Sequence, residues 1–117
     1  MKDHIKKGLD LLHEENYEKA FEILLPCAEA GFNSAEAPIG FLYQVGLGTE
    51  RNIEKAIYWL EKAAKQGNGE AAHNLGTLFL TCEPDFPVDK RKSNYWFNEA
   101  KKLGFKVADD SWYKKIE

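Results

Sequence analysis

A unit of about 36 residues, written three times, constrains this chain more than any other property of it. The segment E-K-A-I-Y-W-L-E-K-A-A-K-Q-G at 54–67 aligns with R-K-S-N-Y-W-F-N-E-A-K-K-L-G at 91–104, so that Tyr58, Trp59 and Gly67 meet Tyr95, Trp96 and Gly104. It aligns equally with E-K-A-F-E-I-L-L-P-C-A-E-A-G at 18–31, where Ala20, Leu24, Ala28 and Gly31 meet Ala56, Leu60, Ala64 and Gly67. Upstream, A-P-I-G-F-L-Y at 37–43 matches H-N-L-G-T-L-F at 73–79 and sets Gly40 over Gly76. Each unit therefore has two parts.

Both parts carry helical periodicity. Ala56, Trp59, Leu60, Ala63 and Ala64 form an i, i+3, i+4, i+7, i+8 stripe, and Ile5, Gly8, Leu9 and Leu12 repeat it without the last position. Asn16, Asn52 and Asp89 each precede the second helix of a unit, where a short oxygen side chain accepts from an otherwise unpaired backbone N–H. Gly31, Gly67 and Gly104 follow the last periodic residue and read as stops that need positive φ. Pro26 removes a backbone donor inside its helix and predicts a kink or an irregular final turn.

At these residues the chain resembles the Sel-one-like repeat (SLR) family, whose units are helix pairs with an L-G-x-L-Y type first helix and a K-A-x-x-W-x-x-K-A-A-x-x-G type second helix. The middle unit matches through Ile39 to Tyr43, the G-L-G loop at Gly46 to Gly48, Lys55, Ala56, Trp59, Ala63, Ala64 and Gly67. The third keeps Leu75, Gly76, Leu78, Phe79, Trp96, Ala100 and Gly104 but carries C-E-P-D-F-P-V-D at 82–89 in place of the glycine loop. The first has a shorter connection and is similar to the related tetratricopeptide repeat. The resemblance implies an all-α solenoid of about three helix-turn-helix repeats, with units near 1–33, 34–68 and 69–105. A capping helix over about 106–117 would lay Trp112 and Ile116 on the last unit.

Stacked helix pairs leave first helices lining a concave strip, and Gly8, Gly40 and Gly76 would let neighbouring helices approach closely. By resemblance to tetratricopeptide grooves, the exposed positions fall three before, one after, and four to five after each of these glycines. The groove candidates so chosen are Leu9, His13, Phe41, Gln44, Val45, His73, Thr77 and Thr81, drawn from a wider set that includes Ile5, Leu12, Ala37 and Leu80. Phe41 stands out, since an aromatic there offers contact area at low entropic cost; packing against a neighbouring helix is its other reading. Trp59 and Trp96 read as core. A second candidate surface is the departing loop and helix start, with Glu83, Asp85, Phe86, Lys90 and Arg91, where basic residues oppose the helix dipole.

The composition narrows the function. The net charge is −3, from 16 basic and 19 acidic residues, so nothing draws the chain to nucleic acid or an anionic membrane, and residues 1–34 hold the acidic excess. No apolar run is long enough for a membrane span, and the lone Cys27 and Cys82 suit reduced thiols in a cytoplasmic protein. His13-Glu14-Glu15-Asn16 lacks the second histidine of a zinc motif, Gly46-Leu47-Gly48 lacks the lysine of a phosphate loop, and Ser34, Ser93 and Ser111 have no nucleophile setting. No metal, no cofactor and no catalytic residue are expected. The expectation is an interaction scaffold or adaptor, monomeric or weakly dimeric, holding a protein or peptide. The alternatives are a stand-alone immunity or inhibitor protein that neutralises a toxin and, less favoured, an enzyme or small-ligand domain built on the 82–89 loop.

Overall fold

The computed structural model describes residues 2–81 and 86–105. Among the described residues six helices follow one another: α1 (Lys2–His13), α2 (Tyr17–Glu29), α3 (Asn33–Val45), α4 (Ile53–Lys65), α5 (Gly69–Leu78) and α6 (Lys90–Lys102). The closest packing is within the pairs α1 with α2, α3 with α4 and α5 with α6; each second helix then packs on the next first helix, and α3 touches α5. This is an all-α solenoid of stacked pairs. The capping helix placed at 106–117 lies outside the described residues.

The helix ends follow side-chain chemistry. Asn52, Asn68 and Asp89 accept, through side-chain oxygens, from the backbone N–H of Lys55, Ala71 and Lys92, each at 3.0 Å. Asn68 was not among the expected caps. Asn16 was, and its side chain makes no such bond; its ψ of 74° departs from the extended 94–103° of the three working caps. Gly31, Gly67 and Gly104 take φ of 94°, 98° and 85°. Behind them Phe32, Asn68 and Phe105 donate to the carbonyls of Cys27, Ala63 and Ala100 in matching turns. α2 runs through Pro26 to Glu29 and closes with that same bond, so the proline does not break its last turn. α1 ends on the same pattern with Glu15 at φ 62° in the glycine's place.

Close approach explains the three alignment glycines. A Cβ on Gly8 would lie 2.6 Å from Leu24, on Gly40 2.7 Å from Leu60, and on Gly76 2.6 Å from Phe97. Around these contacts Leu24, Ile39, Leu42, Leu60, Leu75 and Leu78 are fully buried. Full burial of such a side chain stabilises by about 1.5–3 kcal/mol. Trp59 is buried as expected, while Trp96 is half-buried against the core.

Each long connection is fastened by a backbone clasp. Asn52 N–H donates to the Tyr43 carbonyl at 2.9 Å, and Asp89 N–H to the Phe79 carbonyl at 2.8 Å. Gly48, at φ 77°, lies so close to the Tyr17 carbonyl that no side chain fits between them.

Candidate functional site

The free face of the stack emerges by subtraction. On α3, Gly40 meets α4, while Ala35, Ile39 and Leu42 are fully buried and Tyr43 meets Phe21 of α2 edge-on at 5.3 Å. Of what remains on α3, Ser34, Pro38, Phe41 and Val45 are spaced i, i+4, i+7, i+11 and thus lie on one side of the helix. Phe41 and Val45 are 40% and 42% exposed, large apolar surfaces left without cover. The same register gives Glu70, Asn74, Thr77 and Thr81 at α5, and Lys2, Lys6, Leu9 and His13 at α1. Three lanes result, and those of α3 and α5 lie on touching helices.

The groove candidates divide between this face and the joints. Leu9, His13, Phe41, Val45, Thr77 and Thr81 stand on the lanes. Thr77 and Thr81 donate their hydroxyls to the carbonyls of His73 and Thr77, at 3.3 and 3.4 Å. Gln44 and His73 do not belong with them. Gln44 is half-buried with its Oε1 sealed from solvent and without a donor. His73 sits between Phe97 and Phe105, ring centroids 5.1 and 5.0 Å away, with Nε2 buried and unpaired. Burial lowers its pKa below the ordinary histidine value, with Glu70 opposing part of the shift. The physical reason is angular: Gln44 and His73 each stand one residue, about 100°, from the lane positions Val45 and Asn74.

The sequence reading missed Lys2, Lys6, Ser34, Pro38, Glu70 and Asn74. Extending the Phe41–Val45 stripe backwards by whole helical steps finds them. In the second candidate surface Lys90 and Arg91 are exposed at the start of α6, and Glu83 and Asp85 lie outside the described residues. Phe86 turns inward, its ring stacked on Phe79 at 5.7 Å, so it plugs its own unit rather than facing out.

Two other features carry charge. Glu36 is 1% exposed; its Oε1 has no donor, and its Oε2 stands 4.0 Å from the Lys62 ammonium. Burial raises its pKa above the ordinary carboxylate value and Lys62 offsets this in part. An open cleft of about 810 Å³ lies between α2 and the α3–α4 turn, with Glu18, Glu22 and Glu50 around Phe21 and one lysine, Lys19. Among the described residues no group of three or more His, Cys, Asp or Glu side chains could hold a metal ion. No helix there is long and apolar enough to cross a membrane.

Stacked antiparallel helix pairs joined by glycine close contacts, with one uncovered face on the first helices, define an α/α repeat protein. The Sel1 repeat model matches residues 5–32, 34–68 and 69–105. The chain belongs to the Sel1 repeat family. It is 35% identical over 68 residues, 58% of its length, to the chitin synthase regulator SKT5 of Saccharomyces cerevisiae. To chitin synthase regulatory factor 3 of Schizosaccharomyces pombe it is 30% identical over 93 residues, 78% of its length. It spans 10% of each of these relatives. The crystal structure of a Sel1 repeat protein from Oxalobacter formigenes superposes with a TM-score of 0.76 at 32% identity, covering 88% of this chain and 41% of that one.

Proposed function

We propose that the chain is a non-catalytic interaction scaffold, working in the cytoplasm as a monomer or weak dimer, that holds a protein or peptide against the three first-helix lanes. The observation carrying this reading is the uncovered pair Phe41 and Val45 on a helix whose Ala35, Ile39, Leu42 and Tyr43 are buried. An exposed aromatic beside an aliphatic side chain is the composition of a binding anchor. Two relatives named as regulators of chitin synthase fit a role exerted through another protein. Replacing Phe41 with Glu should abolish capture of the partner from native extract while far-UV circular dichroism stays unchanged; full capture by the variant would remove the lanes from the site.

A second reading, an immunity or inhibitor protein neutralising a toxin, draws on the acidic cleft at Glu18, Glu22 and Glu50. A basic partner seated there would bind with strong salt dependence. Reversing Glu18 and Glu22 to Lys separates the readings, since a lane-bound partner should be retained and a cleft-bound one lost.

A further inference from the structure

The electrostatics of the lanes specify the partner more narrowly than the reading above, on which this inference rests. Fixed charge is distributed unevenly along them. α1 contributes Lys2 and Lys6, α3 contributes none, and α5 contributes Glu70 followed by Asn74, Thr77 and Thr81. Both lysines are exposed. Asp3 and Asp10 lie within three or four positions of Lys6, yet among the described residues no ion pair joins either lysine to a carboxylate. Those two aspartates occupy the register of Ala35 and Leu42 on α3, one helix side away from the lane. The acidic excess of the first unit is thus kept off its lane, which is locally positive. Lysines in the opening turns of α1 also oppose the dipole of their own helix, a cost that helix stability does not explain.

We propose that the lanes take a partner segment with acidic side chains over Lys2 and Lys6 and apolar side chains against Phe41 and Val45. The carboxylates meet two free ammonium groups, and the apolar part covers the exposed aromatic surface. A basic segment would face like charge at α1.

Three fluorescein-labelled peptides test this on the full chain by anisotropy, sharing a Leu-Trp-Leu core preceded by Asp-Asp-Glu, Ser-Ser-Thr or Lys-Lys-Arg. The acidic peptide should bind about five- to tenfold more tightly than the neutral one at low salt, and the gap should narrow as salt rises. The double variant Lys2→Gln, Lys6→Gln should erase the gap without changing the neutral peptide's affinity. Equal or tighter binding of the neutral or basic peptide, survival of the preference in the double variant, or no binding of any peptide would overturn the proposal. Phe41→Glu keeps the two layers of inference apart. If it weakens all three peptides and no charge preference exists, the lanes stand and the acidic partner falls; if it leaves the acidic peptide unaffected, the lane reading itself falls.

Discussion

The α3–α4 and α5–α6 connections do the same job by different physics. Both are closed by a clasp from the residue that caps the next helix to an aromatic residue's carbonyl, Asn52 to Tyr43 and Asp89 to Phe79. Between the clasped ends they diverge. The middle connection leans on the preceding unit, with Gly48 pressed against the Tyr17 carbonyl at the start of α2. The third leans on its own helix, with Phe86 stacked on Phe79 and the Lys92 ammonium 5.4 Å from the Phe79 ring centre. Gly48 is part of the joint between units, and Phe86 is a plug within a unit. The contrast explains why glycines stand in the first and an aromatic, proline-flanked segment in the second.

Substitution at Gly48 should break this contrast most severely. Gly48→Val combines a left-handed backbone with a side chain driven into a carbonyl, and we expect a loss of about 3 kcal/mol or more by urea denaturation. Phe86→Ala should cost less, about 1–2 kcal/mol, because a half-buried ring lost from a local stack leaves the joints between units intact. Hydrogen exchange would sharpen the distinction, since Gly48→Val should loosen α2 and Phe86→Ala only the α5–α6 unit.

The same two units should respond to pH with opposite sign. Glu36 in the middle unit has a raised folded pKa, so the folded state binds its proton more readily than the unfolded chain; stability from this group falls as pH rises from about 4.5 through the raised value. Glu36→Gln should therefore raise Tm at neutral pH, the gain vanishing in acid below the unfolded value. His73 in the third unit has a lowered folded pKa, so its contribution is present above about 6.5 and is lost as pH falls through the folded value. His73→Phe should flatten the Tm profile over that window; an unchanged slope would exclude His73 as its source. The smallest effect concerns the first unit, where Glu15 holds the positive φ that glycine holds elsewhere. Glu15→Gly should stabilise by about 0.5–1 kcal/mol in a thermal melt.

Much of this was legible before any coordinates, and the reason is periodic. A residue such as Gly40 or Gly76 recurs because a helix must pass within contact distance of Leu60 or Phe97, so repetition in sequence reports repetition in packing. The stops at Gly31, Gly67 and Gly104 were legible for the same kind of reason, a backbone conformation that few side chains tolerate. The lanes were only half legible. Phe41 and Val45 were expected there and are exposed, whereas Gln44 and His73, grouped with them, have buried polar atoms, because one residue's difference in offset rotates a side chain to another side of the helix. Lys2, Lys6 and Glu70 were missed because a charged residue on a helix reads as ordinary solvated surface until its register against buried positions of α3 is known. Asn16 failed as a cap because sequence names the residue type and not the backbone angle that aims it.

The clasp across the third connection bears on how such a chain can change. Its donor and acceptor are both main chain, so no replacement short of proline at Asp89 deletes it. Lengthening a tethered stretch is inexpensive, about 0.6 kcal/mol for each doubling. New recognition elements could therefore be grafted between Thr81 and Phe86, leaving the Phe86 plug and the clasp in place.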